Sequence, residues 1–197
     1  ACKGSFLSGE ELAQSLQLSR AAVWKAVGSL KEQGFPIETQ PGKGYCLSSC
    51  GDILTRGGIE SRLEAGNRWS LQVLGEVTST NALLRQQAMA GAPDGAVLAA
   101  GSQSLGRGRL GRSFFSPADT GVYLSVLIRR DWGAEESRRL TTMAALAACR
   151  AVSRVSGKEA GIKWVNDVFL NGKKVCGILT EAAFSLEDGR LDYAVVG

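Results

Sequence analysis

Ala96-Val97-Leu98-Ala99-Ala100-Gly101-Ser102-Gln103-Ser104-Leu105-Gly106-Arg107-Gly108-Arg109-Leu110-Gly111-Arg112 begins as a short apolar strand and ends as a glycine loop carrying three arginines. Glycine lets main-chain N–H groups approach a ligand closely, and guanidinium forks match the oxygens of phosphates and carboxylates. Such a loop can clamp an anion. Its spacing is neither the phosphate loop that ends in Gly-Lys-Ser/Thr nor the dinucleotide fingerprint. Two readings therefore stand, an anion-clamping site and a flexible basic loop lying on nucleic acid.

Outward from that stretch the pattern alternates strand and helix. Leu71 to Gly75 reads as a strand. Asn81 to Ala90 reads as a helix capped by Ser79 or Thr80. Ala96 to Ser102 and Val122 to Arg129 are strands, and Glu135 to Val155 is a long helix rich in Ala and Leu. Ile162-Lys163-Trp164 enters a hairpin whose turn is marked by Asn171-Gly172, a dipeptide suited to tight hairpin turns. Val175 to Ala183 and Leu191 to Val196 complete a mixed sheet. Trp164 is expected in the core, and Ile53 to Ala65 is expected to be the helix that starts this unit.

The first fifty residues read differently. Ser8-Gly9-Glu10-Glu11 has capping-box spacing, with Leu12 and Leu16 following on one face. Ser19 caps a second helix, Arg20 to Gln33, with Val23, Val27 and Leu30 inward and Gly34 as its stop. Ile37 to Thr39 and Tyr45 to Leu47, joined through Gln40-Pro41-Gly42-Lys43-Gly44, form a small hairpin. Two short helices and a hairpin make a winged helix-turn-helix, whose second helix presents Arg20, Ala21, Trp24 and Lys25 to the DNA major groove. Such a module also serves as a protein-interaction unit, and residues 1–50 hold only five Lys/Arg against four Asp/Glu. Trp24 can equally pack on the wing. Ser48 to Asp52 is the expected linker, giving a DNA-binding domain over 1–50 and a second domain over 51–197. The expected fold class is α+β: a winged helix followed by a mixed-sheet α/β catalytic domain.

Composition narrows the chemistry. The 197 residues are 44% hydrophobic and 21% charged, with a net charge of +4, which allows two cores and a nucleic-acid partner without requiring the latter. There is no histidine, so Ser-His-Asp and Cys-His catalysis and histidine metal sites are excluded from this segment. Five cysteines with no Cys-x-x-Cys pair suit neither a disulfide framework nor a zinc site and are expected to pack reduced. No apolar run approaches a membrane span and no secretory signal opens the chain, so the expected location is the cytoplasm. An opening on Ala1 and an end inside the strand at Gly197 suggest a fragment.

Taken in order, Thr78-Ser79-Thr80-Asn81, Gln103 to Arg112, Lys163-Trp164-Val165-Asn166-Asp167 and Lys174-Val175-Cys176-Gly177-Ile178-Leu179 closely resemble the biotin–protein ligases. The winged helix ahead of them resembles the bifunctional bacterial type, which also represses the biotin operon. Val165 stands where the family usually has Pro, and Phe114 where it usually has Trp.

The resemblance implies ATP-dependent formation of biotinyl-5′-adenylate and transfer of biotin to a lysine of a biotin carboxyl carrier protein. It also implies biotin-responsive binding of operator DNA by an adenylate-bound homodimer. Biotin is then the substrate, ATP the co-substrate with magnesium, and no prosthetic group is involved. It assigns Ser79, Thr80, Asn81, Gln103, Arg107, Gly108, Arg109 and Lys174 to biotin, with Lys174, Arg109 and Arg107 catalytic. Arg109, Phe114, Asn166 and Lys163 fall to the nucleotide, and Asp167 to magnesium. Arg112 is either a ligand contact or a loop anchor. In the family the sheet continues beyond the position of Gly197, and a small C-terminal β-domain follows. A DNA-binding regulator with a ligand-sensing but catalytically weak ligase-like domain, and a lipoate-type ligase, are the alternatives.

Overall fold

Ser8 starts the first helix by a full capping box: its hydroxyl accepts from Glu11 N at 3.0 Å and its own N–H donates to the Glu11 carboxylate at 2.7 Å. Helix α1, Gly9–Leu16, is followed by α2, Arg20–Glu32, and Ser19 Oγ caps α2 by accepting from Ala22 N at 3.1 Å. The computed structural model describes residues 5–32, 35–47 and 53–197, so the Gly34 stop and the linker expected over Ser48 to Asp52 lie outside the described residues. The chain divides into two units, Ala1–Gly58 and Ile59–Gly197.

In the first unit Ala13 and Val23 are buried, whereas Leu16 is 59% exposed. Of the two leucines expected on one face, Leu12 is half-buried beside Ala13 and only Leu16 is exposed. α1 ends immediately after Leu16, with Gln17 in the left-handed region at φ 54°, and the turn carries Leu16 away from the core. Strands β1, Ile37–Gln40, and β2, Gly44–Leu47, pair antiparallel. Leu7 joins the hairpin through reciprocal main-chain bonds to Tyr45, each 2.9 Å. Gly44, at φ +100°, passes so close to the Leu7 carbonyl that any Cβ there would collide.

Helix α3, Arg56–Glu60, is all that forms of the helix expected over Ile53 to Ala65. Thr55 Oγ1 caps it through Gly58 N, but Gly57 and Gly58 lower its helix propensity and only single turns follow it.

The second unit is built on a five-stranded sheet of order β3-β4-β5-β10-β9. Its members are β3 Ser70–Val77, β4 Ala96–Gln103, β5 Tyr123–Ile128, β9 Thr180–Phe184 and β10 Leu191–Val196. β3 and β4 are parallel, connected by α4, Thr80–Met89, and every other neighbour is antiparallel. The sheet is thus mixed. Leu84 and Ala88 of α4 pack on Leu98, Leu127 and Val195, and each fully buried leucine contributes about 1.5–3 kcal/mol.

Helix α5, Ala134–Ser156, buries Ala145 against Val168 and Ile178. Val168 belongs to a separate three-stranded sheet: β6 Gly161–Lys163, β7 Asp167–Leu170 and β8 Lys173–Gly177. Asn171 and Gly172, at φ 50° and 74°, turn β7 into β8, as a two-residue turn with both central residues left-handed requires.

The run Val175 to Ala183, expected as one strand, is two. Ile178 N donates to Asn166 O, while Leu179 exchanges both main-chain bonds with Gly197, so the chain changes sheets between β8 and β9. Trp164, expected in the core, is 78% exposed, because it lies in the turn from the short exposed β6 into β7. Among the described residues no helix is long and apolar enough to cross a membrane.

Candidate active site

Three connections of the second unit converge on one cleft of about 1160 Å³. The start of α4 supplies Ser79, Thr80 and Asn81, the end of β4 and its loop supply Gln103, Arg107, Gly108, Arg109 and Phe114, and the β6–β8 sheet supplies Asn166, Asp167 and Lys174. The sequence-expected site residues of this unit are therefore gathered in one place, with one exception. Lys163 does not line the cleft. Its ammonium lies over the Phe169 ring, 5.6 Å from the centroid, where the π face favours it and holds it on its own sheet.

Ser79 caps α4, accepting from Ala82 N at 3.4 Å. This leaves Thr80 and Asn81 at the first turn, where both are buried. Gln103 Oε1 accepts from the Thr80 N–H at 2.8 Å and from its hydroxyl at 3.1 Å. Gln103 Nε2 donates to Ser116 Oγ at 3.0 Å, and Ser116 Oγ donates to the Phe114 carbonyl at 3.0 Å. Asn81 Nδ2 donates to Leu179 O and to the Glu181 carboxylate. Ser125, Ser116 and Glu181 belong to this network and were not expected from the sequence. Ser125 carried a usable signal: alternation along β5 places it inward with Tyr123 and Leu127, a hydroxyl on a core-facing position.

The arginine loop is shaped by its own main chain. Phe114 N donates to Gly106 O at 2.8 Å and Gly108 N to Arg112 O at 2.7 Å, around a single 3-10 turn, Arg109–Gly111. A Cβ at Gly106 would collide with the Phe114 carbonyl and Ser116 Oγ, so glycine is required there for close approach. Arg109 reaches across to Asn166 Oδ1 at 3.2 Å, and Asn166 Nδ2 is anchored on the Ile178 carbonyl at 3.1 Å. Arg107 and Arg112 are exposed along the same cleft.

On the small sheet, Lys174 Nζ lies 2.7 Å from Asp167 Oδ1, with the two side chains 42% and 24% exposed. Asp167 Oδ1 is buried and makes no aligned hydrogen bond, so the contact is a charge pair without directional bonding, of modest worth at this exposure. Burial pushes the adjacent Cys176 thiol up, more than Lys174 pulls it down, and Asp167 adds to the rise. It is a thiol at neutral pH and no nucleophile. Cys46, Cys149 and Cys176 are free, as expected of these three.

Arg107 and Arg109 of the loop, Lys174 of the small sheet and the buried polar Thr80 and Asn81 line one cleft, a site that can hold a neutral polar group and bring anions together. A family model for the biotin/lipoate A/B protein ligases matches residues 74–197, and an HTH domain model matches residues 3–46. The chain is 32% identical over 199 residues to the bifunctional ligase/repressor BirA of Bacillus subtilis, covering 98% of this chain and 59% of that protein. It thus spans less than two thirds of that relative's length.

Among solved structures, the biotin protein ligase of Leishmania major in complex with biotinyl-5-AMP is similar at TM-score 0.54 and 29% identity, over 65% of this chain and 55% of that one. The Aquifex aeolicus ligase with biotin and ATP is similar at TM-score 0.50 and 30% identity, over 64% and 50%. The arginine loop, Lys174 and the other sequence-expected site residues of this unit fall inside the matched residues, and this chain belongs to the biotin/lipoate A/B protein ligase family.

Proposed function

We propose that this chain activates biotin with ATP to biotinyl-5′-adenylate and passes the biotinyl group to a lysine of a biotin carboxyl carrier protein. The observation that carries the reading is the convergence of buried Thr80 and Asn81, the Gly-Arg loop and Lys174 on one cleft. Biotin's carboxylate attacks the α-phosphorus of ATP, a carboxylate–phosphate bond forms, and pyrophosphate leaves with the bonding pair. A carboxylate is already an anion at neutral pH, so this step needs no general base, in keeping with a chain that holds no histidine.

The barrier is the approach of two anions. Lys174, released from Asp167, and Arg107 and Arg109 of the loop lower it by meeting charge on carboxylate and phosphate oxygens. The carrier lysine amine then attacks the mixed anhydride, AMP departs, and the amide nitrogen loses its proton. Phe114 and Asn166 serve the nucleotide. Magnesium belongs to this reading as the ion ATP carries. No group of three acidic, cysteine or histidine side chains forms a cage among the described residues, and Asp167 Oδ1 faces the Lys174 ammonium at 2.7 Å. The residues fit an ion held chiefly by phosphate oxygens and water, which neutralises phosphate charge when bound.

The winged unit is proposed to bind operator DNA through Arg20, Ala21, Trp24 and Lys25, as an adenylate-dependent homodimer in the cytoplasm. Trp24, 72% exposed, is available for this role rather than packed on the wing. Isothermal calorimetry with biotin and then ATP, together with release of pyrophosphate, tests the enzyme. A chain that binds biotin and releases no pyrophosphate in the presence of magnesium and ATP would instead be a sensor with a ligase-like domain.

A further inference from the structure

Ser125 sits in the middle of β5, fully buried beneath the cleft floor, with its hydroxyl oxygen 2.6 Å from Asn81 Oδ1 and 2.8 Å from Thr80 Oγ1. Elimination assigns the protons of this cluster. The Leu179 carbonyl and the Glu181 carboxylate only accept, so Asn81 turns Nδ2 toward them, at 3.2 and 3.0 Å, and leaves the acceptor Oδ1 facing Ser125. The single hydroxyl proton of Ser125 goes to Oδ1, its shorter contact. On the other side the Thr80 main-chain N–H only donates, which fixes Gln103 Oε1 toward it. The Thr80 hydroxyl proton then has two acceptors inside the protein, Gln103 Oε1 at 3.1 Å and Ser125 Oγ at 2.8 Å. Either one draws the proton inward. What Thr80 presents to the cleft is lone pairs.

We propose that Ser125 is a positioning residue that holds Thr80 as a hydrogen-bond acceptor at the cleft floor, so that the site favours a ligand presenting an N–H donor there. The inference rests on the biotin reading, since the ureido ring of biotin offers N–H donors and the dithiolane ring of lipoate offers none. Without Ser125 the carbonyl oxygen of Asn81 loses its donor, and the Thr80 hydroxyl loses its shorter partner and is held by Gln103 Oε1 alone, at 3.1 Å.

The test is calorimetry on the 197-residue chain with biotin and with biotin methylated at each ureido nitrogen in turn, for wild type, Ser125→Ala and Ser125→Cys. Wild type is expected to bind biotin and discriminate against at least one methylated form. Ser125→Ala should weaken biotin by about tenfold or more, the scale of one buried hydrogen bond, and narrow that discrimination. Ser125→Cys, with a weak S–H donor, should fall between, and it decides the matter if Ser125→Ala fails to fold.

Unchanged affinity, or weaker biotin binding with an unchanged discrimination ratio, overturns the positioning role while the biotin reading stands. A wild-type chain that binds no biotin overturns both.

Discussion

Lys174 and Arg109 both line the cleft, and under the proposed function their losses should differ in kind. Lys174 is restrained by Asp167 at 2.7 Å in the free site and gains its full effect only when phosphate and carboxylate charge arrives. Lys174→Ala should therefore lower adenylate formation by about 10²–10³, the cost typical of removing one preorganised charge or donor, with a smaller change in biotin affinity. Quenched-flow measurement of adenylate checks this, and an equal loss in both quantities would mean that Lys174 only binds. Arg109 instead ties the loop to Asn166, and Arg109→Gly removes that tie. Biotinylation of bystander proteins by escaped adenylate should rise with this variant. No rise would remove Arg109 from retention of the intermediate. Lys163 shows how far side-chain chemistry reads from sequence: the resemblance assigned it to the nucleotide, but its ammonium lies over Phe169, two strand positions beyond Asp167.

At the level of the element, the loop between β4 and β5 holds itself by a few main-chain bonds and carries Leu105 and Leu110 in water, the latter at φ 57°. A segment with so little buried apolar area opens easily. Hydrogen exchange at Gly106 to Gly111 should slow when biotin or its adenylate bridges the arginines, and equal protection with and without ligand would overturn the idea. Gly106→Ala should do the opposite. Its methyl meets the Phe114 carbonyl and Ser116 Oγ, so the loop must open, and adenylate retention should fall while α4 and the sheet keep their stability by circular dichroism. The loop was legible as glycine and arginine in alternation. That Gly106, rather than its neighbours, is the tight one was not, because the colliding atoms come from residues eight and ten positions later.

For the whole molecule, the residues proposed to meet DNA and those proposed to meet biotin belong to separate units. Arg20 pairs with Glu10 at 3.5 Å, but both are largely exposed, and a surface pair of this sort holds too weakly to withhold Arg20 from a phosphate. Replacing Arg20 and Lys25 with Ala should weaken operator binding and flatten its salt dependence by about one power of salt for each phosphate that is no longer neutralised. Biotin affinity should be unchanged. Adenylate should tighten operator binding, because a two-fold operator requires two recognition helices at fixed separation and a dimer supplies them. Gel-shift titrations with and without biotinyl-adenylate decide this. Affinity indifferent to the adenylate would leave a ligase whose winged helix serves another purpose.

Sequence alone determined what depends on neighbours along the chain. The capping box at Ser8, the Ser19 cap, the Asn171-Gly172 turn and the Ala- and Leu-rich run of α5 are local, and the ordered motifs around Lys174 carried the family. Tertiary structure decided what depends on partners far along the chain. Val175 to Ala183 breaks in two because Asn166 and Gly197 each claim part of its main chain, and Trp164 is exposed because the strand before it ends at Lys163. Ser125 becomes part of the site because β5 carries its hydroxyl beneath Thr80 and Asn81, 45 and 44 residues earlier. Hydrogen-bond partners at such separations leave no spacing to read, since register between strands, rather than distance along the chain, brings them together.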